Sequence, residues 1–297
     1  MVSRRTSVEK IAIGTVQFGL SYGIANEQGQ VTEQEGQRIL SRAHEQGIEL
    51  LDTAIGYGDS ESTLGSIGVE HFQVVTKLPP VRGNAIKVAA WLDEQVADSL
   101  LRLRLSSLYG LLLHRSENLK GELGQHLVEG LQSLKSRGLV QKIGVSIYDP
   151  SELDYVTQAI AVDLVQAPLN LVDRRLEVSG WLSRLKQMGV EVHTRSAFLQ
   201  GLLLIPRDKI PGRFGRWSHL WDVWARRLEE LNMSPVAACL TYPLSQQEVD
   251  RVVVGVDSLS QLNELIKEAS REPIPENWDF MAMEDERLLN PSRWSEL

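Results

Sequence analysis

Residues 47–58 read Gly-Ile-Glu-Leu-Leu-Asp-Thr-Ala-Ile-Gly-Tyr-Gly, a short apolar run that breaks into a turn. Asp52 ends the run and Tyr57 follows five residues later, which brings a carboxylate and a phenol close to one strand end. A phenol has an ordinary pKa of about 10, so it can act as a general acid near neutral pH only if a nearby positive charge stabilises its anion. The stretch therefore raises the question of whether the chain supplies a cation at an equivalent position.

The next two apolar runs also end in chemically useful side chains. One ends Val-Val-Thr-Lys77 and the other ends Leu-Leu-Leu-His114. The carboxyl ends of parallel strands in a barrel face one rim. These two side chains can therefore converge with Asp52 and Tyr57 despite their distance in sequence.

Short runs rich in Val, Ile and Leu alternate with longer segments of helical period, which is typical of a parallel sheet covered by helices. The predicted strands are 11–15, 50–53, 73–77, 107–114, 142–146, 164–167, 191–196 and 251–256. The predicted helices are 33–46, 60–67, 86–103, 121–137, 151–161, 178–188, 219–231 and 259–269, with an additional helix over 234–245.

Eight strand–helix pairs without a long flexible linker predict a single-domain (β/α)8 TIM barrel over residues 1–297. The alternative is a doubly wound open sheet, which would carry a Gly-x-Gly-x-x-Gly turn after its first strand. Residues 14–19 read Gly-Thr-Val-Gln-Phe-Gly and lack that spacing. The tail from Pro273 has no regular period, and we expect it to wrap the outside or the rim of the barrel.

Composition narrows the class of function. A formal net charge of −8 and a pI of about 5.4 argue against a nucleic-acid-binding surface, which usually needs a basic stripe. The single cysteine, Cys239, excludes an intramolecular disulfide framework and fits a reducing compartment. No stretch approaches the roughly 18 apolar residues that span a bilayer. We therefore expect a cytoplasmic protein that engages neither nucleic acid nor membrane.

The order of Asp, Tyr, Lys and His at three successive strand ends, with Asp-Thr-Ala-x-x-Tyr-Gly intact, closely resembles the aldo-keto reductases. The resemblance implies NAD(P)H-dependent reduction of an aldehyde or ketone in which Tyr57 protonates the oxyanion. It also implies that Lys77 lowers the pKa of Tyr57 and that Asp52 neutralises Lys77, while His114 orients the carbonyl. Any one of the four residues taken alone is more often structural, and it is their conjunction that points to catalysis.

The resemblance extends to the cofactor, which we expect to lie along the strand ends. It includes no metal site. The cofactor contacts that it implies are Gly14, Thr15, Ser146, Gln166, Arg195, Ser196, Leu199, Gly201, Gly255, Asp257, Ser258 and Gln261.

Three departures from the family pattern bear on the ligands. Ile147 stands where the family commonly has asparagine, and Arg195 stands where many members place an aromatic ring against the nicotinamide. Asp257 occupies a position that is basic in many NADPH users. An aspartate there would repel a 2′-phosphate and could accept a hydrogen bond from a ribose 2′-hydroxyl. The resemblance as a whole implies NADPH, with NADH as the alternative.

Residues 205–217 contain three arginines and a lysine and form the one basic cluster of this acidic chain. The cluster is either a clamp for a pyrophosphate or phosphorylated substrate, or a solvated surface loop. Together with Arg195, it suggests a sugar or nucleotide-sugar carbonyl compound as the substrate. Two other functions stay open: a cofactor-binding accessory or sensor barrel with little turnover, and a non-redox sugar epimerase or dehydratase that retains the cofactor. The oligomeric state also stays open.

Overall fold

A computed structural model describes residues 5–26, 28–81, 87–271 and 277–297. Eight parallel strands form a closed barrel in sequence order, with the first strand paired to both the second and the last. This confirms the predicted (β/α)8 barrel. The strands are β1 Ile11–Gly14, β2 Leu50–Asp52, β3 Gln73–Leu78, β4 Leu108–Leu113, β5 Val140–Ser146, β6 Leu164–Pro168, β7 Glu191–Arg195 and β8 Arg251–Gly255.

Helices cover the outside of the barrel, and side chains cap several of them. The hydroxyl of Thr32 caps α1, and Ser234 caps the additional helix, α9, that the sequence predicts before the last strand. The helices are α1 Glu33–Glu45, α2 Ser60–Ile67, α3 Val88–Leu103, α4 Gly121–Ser136, α5 Glu152–Ala159, α6 Arg175–Val178, α7 Trp181–Gln187, α8 Ser218–Glu230, α9 Pro235–Ser245, α10 Leu259–Ala269 and α11 Glu286–Leu289.

The sequence prediction differs from the structure at the sixth helix. The predicted helix over 178–188 is divided into α6 and α7, because Gly180 between them adopts a left-handed backbone with φ of 77°. The predicted start of the third helix at Ile86, and the predicted start of the tail at Pro273, lie outside the described residues.

The C-terminal tail packs back onto the barrel, as expected from its lack of a regular period. The ring of Trp294 packs edge-on against Phe214, with centroids 4.9 Å apart. Pro291 and Ser292 line the cavity at the barrel rim. The tail therefore contributes to one wall of that cavity.

The apolar core has two parts. A large cluster fills the space between the sheet and the helices, and a small layer inside the barrel comes from alternate strand positions. The inner layer consists of Ala12, Leu50, Val75, Leu112, Leu164 and Val253. Because this layer fills the barrel interior, the polar side chains further along the strands are displayed at the carboxyl-end rim. Among the helices in the described ranges, none is long and apolar enough to cross a membrane.

The start of α2 ties the strand ends together beneath that rim. The buried hydroxyl of Ser60 donates to the carbonyl oxygen of Thr15 over 2.8 Å and lies 3.1 Å from the hydroxyl of Thr53. These contacts join the ends of β1 and β2. The first turn of α2 therefore holds the ends of β1 and β2 together next to Asp52.

Glu61, the next residue, is a buried carboxylate with only 2% of its surface exposed. It accepts hydrogen bonds from the hydroxyls of Thr76 and Ser99, each over 2.7 Å, and from Nε of Arg102 over 2.9 Å. Because these donors belong to β3 and α3, the Glu61 carboxylate joins three elements behind the rim.

We expect Glu61→Ala to lower the free energy of unfolding by about 3–5 kcal/mol, because it leaves Arg102 without its partner and two buried hydroxyls without an acceptor. Urea denaturation followed by circular dichroism measures this change. The matched control is Glu45→Ala, which removes an exposed carboxylate 3.2 Å from Arg42 and should cost at most about 1 kcal/mol. Equal losses in the two variants would contradict the structural role of Glu61.

Candidate active site

A buried ion pair lies at the carboxyl end of the barrel. Nζ of Lys77 in β3 donates to Oδ2 of Asp52 over 2.6 Å and to the carbonyl oxygen of Thr53 over 2.8 Å. On the other side, Nε2 of Gln166 in β6 donates to Oδ1 of Asp52 over 2.6 Å. Lys77 and Asp52 are only 1% and 4% exposed, so water does not stabilise their charges. Each charge is compensated by the other.

Tyr57 lies above this pair, in the turn that follows β2. The Lys77 ammonium is 5.3 Å from the centre of the Tyr57 ring. The rings of Tyr57 and His114 meet edge to face with centroids 6.0 Å apart. The structure therefore brings together all four residues that the sequence predicts as catalytic.

The turn that carries Tyr57 depends on a close backbone approach. A Cβ atom at Gly19 would lie 1.9 Å from the carbonyl oxygen of Tyr57. Any side chain at that position would collide with backbone and push the phenol out of place. Gly19 is therefore part of what positions Tyr57.

The surroundings of Tyr57 act on its pKa in both directions. Burial raises the pKa of the Tyr57 phenol well above its ordinary value, and the Asp52 carboxylate adds to this, while the Arg195 guanidinium opposes it. The ammonium of Lys77 beneath the ring has Asp52 as its own partner over 2.6 Å. The phenol therefore keeps its proton near neutral pH, and the Arg195 guanidinium favours its ionised form.

His114 is shifted in the opposite direction. Burial lowers the pKa of its imidazole to about 4, the nearby Lys77 adds to this shift, and Asp52 opposes it. Near neutral pH the ring is therefore uncharged, with one nitrogen available as a donor and the other as an acceptor.

A cavity of about 780 Å³ opens at this rim, a size common for cofactor and substrate sites. Asp52, Tyr57 and His114 line it, and Lys77 lies beneath. The predicted cofactor contacts that line the cavity are Gly14, Thr15, Ser146, Gln166, Arg195, Ser196, Gly201, Gly255, Asp257 and Gln261.

Two predicted cofactor contacts have other positions within the described structure. Leu199 is fully buried in the hydrophobic core and does not line the cavity. Ser258 is also absent from the lining, and its hydroxyl accepts from the backbone N–H of Gln261 as the N-cap of α10. Both residues are close in sequence to residues that do line the cavity, so the family resemblance implies them as cofactor contacts as well.

Sequence reasoning missed several lining residues. Gln17 lies in the stretch after β1, where the glycine spacing carries no signal for a glutamine. The others lie in rim loops, in the C-terminal tail or, for Glu264, on α10, and only the folded chain shows that they face the cavity. The missed polar lining residues are Gln17, Tyr22, Asn26, Tyr148, Gln200, Glu264 and Ser292.

One part of the cavity has the features of a dinucleotide cradle. Gly14 and Gly255 are paired in register on β1 and β8, and both line the cavity, so backbone is open to a ligand there. A Cβ at Gly255 would lie 2.4 Å from Nε2 of Gln17. The buried Oε1 of Gln17 has no hydrogen-bond partner among the described residues, and a bound ligand could satisfy it. The residues present therefore fit a nicotinamide dinucleotide.

Residues 22–26 form a strap between two rim loops. The side-chain amide of Gln200 donates to the hydroxyl of Tyr22 over 2.7 Å. At the other end, Nδ2 of Asn26 donates to Oδ1 of Asp257 over 3.3 Å. The strap thus connects the loop after β7 to the turn after β8.

Arg195 is the only arginine or lysine in the described lining of the cavity. Its Nη2 donates to the carbonyl oxygen of Ile147 over 2.9 Å, and its Nη1 donates to the hydroxyl of Ser196 over 3.3 Å. The guanidinium stacks 4.5 Å from the centre of the Tyr148 ring.

The basic loop over 205–217 lies outside the cavity. Its four cations are exposed, and none belongs to the lining that the structure describes. Arg207 pairs with Asp222 on the surface over 2.5 Å, and Arg216 lies over the ring of Trp217. The structure therefore supports the surface-loop alternative over the phosphate clamp.

Comparison with known proteins agrees with this geometry. A model of the Aldo/keto reductase family matches residues 10–278. The NADH-specific methylglyoxal reductase of Escherichia coli (strain K12) is 27% identical over 261 residues, which cover 76% of this chain and 79% of that protein. The L-galactose dehydrogenase of Arabidopsis thaliana is 26% identical over 280 residues, which cover 86% of this chain and 83% of that protein.

A solved structure shares the fold. An aldo-keto reductase from Bacillus halodurans, in its holo form, superposes with a TM-score of 0.71 at 21% identity, covering 90% of this chain and 88% of that one. The family match extends over most of the chain and includes every strand of the barrel. This chain therefore belongs to the aldo/keto reductase family of oxidoreductases, which use nicotinamide cofactors.

Proposed function

We propose that this protein reduces an aldehyde or ketone to an alcohol with NAD(P)H, and that Tyr57 is the general acid. The supporting observation is a protonated phenol in the wall of the cavity, beside a neutral imidazole and above a neutralised ion pair. General acid catalysis of this kind is worth roughly 10²–10⁴ in rate.

Each residue has a separate part in this proposal. A nicotinamide cofactor held beside Gly14 and Gly255 would supply hydride to the carbonyl carbon. Tyr57 gives its proton to the carbonyl oxygen as negative charge develops there, and neutral His114 donates a hydrogen bond to the same oxygen. The Asp52–Lys77 ion pair lies beneath Tyr57 and supports it. Arg195 stabilises the phenolate that remains after proton transfer.

The relatives support a small carbonyl compound as the substrate. By their names, one acts on methylglyoxal and the other on L-galactose. A small aldehyde, ketone or sugar is therefore the substrate class that we propose. A nucleotide-linked sugar loses the support of the basic loop, because the cations of that loop lie outside the cavity.

We propose NADH as the preferred cofactor, although the resemblance as a whole favoured NADPH. Asp257 lines the cavity just before α10 and Glu264 lines it from the middle of that helix, and the lining within the described ranges has no arginine or lysine besides Arg195. Asp257 is fixed there by Asn26 and through the contact of its backbone N–H with Gln261 over 2.7 Å. A 2′-phosphate would therefore meet carboxylates without a compensating cation. The NADH-specific relative is consistent with this preference.

Tyr57→Phe tests the assignment of the acid. We expect kcat to fall by roughly 10²–10⁴ while the Kd for the cofactor stays near the wild-type value, because the ring remains and only the proton is lost. The matched control is Tyr155→Phe, which removes the hydroxyl of a half-buried tyrosine outside the described cavity lining, 2.6 Å from the hydroxyl of Ser116, and should keep most of the turnover. Steady-state kinetics and fluorescence titration supply the two readouts.

Other results would favour the alternative functions. Unchanged turnover in Tyr57→Phe would remove the residue from the mechanism. Tight cofactor binding by the wild type without turnover of any carbonyl would favour an accessory or sensor barrel. Mass spectrometry of the product separates reduction, which adds two hydrogens, from epimerisation, which adds none.

Asp257→Asn tests the cofactor preference. We expect the wild type to bind NADH at least about 5-fold more tightly than NADPH. The variant should lower this ratio of affinities, because it removes a repulsion of about 1 kcal/mol between the Asp257 carboxylate and the 2′-phosphate. Asp222→Asn, which changes a surface carboxylate paired with Arg207, is the control and should leave the ratio unchanged. Tighter binding of NADPH than of NADH by the wild type would contradict the proposal.

The lowered pKa of His114 predicts a flat region in the pH dependence. Because this pKa is about 4, the ring stays neutral from pH 8 down to about pH 5, so it should cause no loss of kcat/KM in that range. An ordinary histidine would become charged near pH 6.5. Proton NMR, with His114→Gln used to assign the resonance, measures the midpoint directly. A midpoint for His114 between pH 6 and 7 would refute the prediction.

A further inference from the structure

We infer that the carbonyl substrate carries an oxyanion group, a carboxylate or a phosphate, that is bound by Arg195 against the ring of Tyr148. This inference rests on the proposed reductase function and adds a substrate class to it. Three observations carry it: the charge balance of the cavity, the fixed orientation of the guanidinium and the position of Arg195 beside the reacting groups.

The first observation is the missing counter-charge. By contrast, two arginines that follow β6 have carboxylate partners: Arg174 pairs with Asp279 over 2.7 Å, and Arg175 pairs with Asp173 over 2.9 Å. Arg195 is bonded only to uncharged oxygens in the part of the chain that the structure describes. A half-buried guanidinium without an anion is unfavourable, so a ligand that brings one gains affinity.

The second observation is that the guanidinium is already oriented. The bond to the carbonyl oxygen of Ile147 and the stack on Tyr148 hold its plane from two directions. The following residue, Ser196, has φ of 62°, so the chain turns sharply after Arg195. A pre-oriented guanidinium binds the planar fork of a carboxylate, or two phosphate oxygens, with little entropic cost.

The third observation is the location of Arg195. It ends β7 in register with Pro168, lines the same cavity as Tyr57 and His114, and its charge lowers the pKa of both residues. A single small molecule can therefore place its carbonyl at Tyr57 and its anionic group at Arg195. The carboxylates of Asp257 and Glu264 also line the cavity, and they disfavour binding of the anion near α10.

The pyrophosphate of the cofactor is the other possible source of an anion at Arg195. The experiment therefore has separate substrate and cofactor arms. It compares kcat/KM for matched pairs of substrates: succinic semialdehyde against butyraldehyde, and glyceraldehyde 3-phosphate against glyceraldehyde. Fluorescence titration with NADH and NADPH runs in parallel on the wild type, Arg195→Met and Arg195→Lys. The control is Arg115→Met, because Arg115 lies 5.9 Å from the same tyrosine ring but is exposed and outside the lining.

We expect the wild type to prefer the anionic member of at least one pair. Arg195→Met should lower that preference by about 10- to 100-fold, the range for a lost hydrogen bond to a charged group. Arg195→Lys should restore part of the preference, since it keeps the charge without the fork. Arg115→Met should leave the ratio near the wild-type value. The Kd for the cofactor should change by much less than the substrate ratio in every variant.

Each contrary result has its own meaning. If the wild type reduces the neutral aldehydes well and the anionic ones poorly, the inference is wrong and the reductase function stands. If Arg195→Met weakens cofactor binding and leaves the substrate ratio unchanged, Arg195 serves the pyrophosphate and the inference is again wrong. If the wild type binds cofactor but reduces no carbonyl, the reductase function fails and takes the inference with it.

Discussion

The structure of this site depends on burying an ammonium and a carboxylate together at the centre of the rim. Lys77 and Asp52 come from neighbouring strands, and a third strand supplies the amide of Gln166 to the same carboxylate. Two charges so far from water are tolerated only if each keeps a close partner and its remaining hydrogen bonds are satisfied. The closed barrel meets that condition because it brings the ends of β2, β3 and β6 within reach of one carboxylate.

The buried ion pair and the depth of the site together set the protonation of the side chains at the rim. Burial raises the pKa of the Tyr57 phenol, and the Asp52 carboxylate adds to this shift. Burial also lowers the pKa of His114, so both rings are uncharged near neutral pH. The charges that remain uncompensated in the described lining are Arg195, Asp257 and Glu264. These three side chains are the ones expected to discriminate between ligands, rather than Asp52, Tyr57, Lys77 and His114.

The part of the cavity that fits a dinucleotide lies beside the four predicted catalytic residues. It is built from backbone and from contacts between residues far apart in sequence. Gly14 and Gly255 are neighbours because β1 pairs with β8 to close the barrel. Asn26 reaches Asp257 across 231 residues of sequence. The strap over 22–26 has no regular structure, so its position depends on these contacts and on the hydrogen bond between Gln200 and Tyr22. Barrel closure therefore organises the catalytic end and the dinucleotide end together.

The sequence by itself determined the barrel architecture and the side chains that meet at its rim. The alternation of apolar runs with helical periods predicts the eight strands, and their carboxyl ends predict where Asp52, Tyr57, Lys77 and His114 meet, because strand order and direction alone assign that rim. The sequence could not show that α6 and α7 separate at Gly180, that Leu199 is buried in the core or that the basic loop faces solvent. Tertiary structure alone also decided how the cations of the rim are paired. The strength of a charge interaction depends on distance, and no spacing in the sequence records that Asp52 lies 2.6 Å from Lys77 while Arg195 has no carboxylate beside it in the described chain.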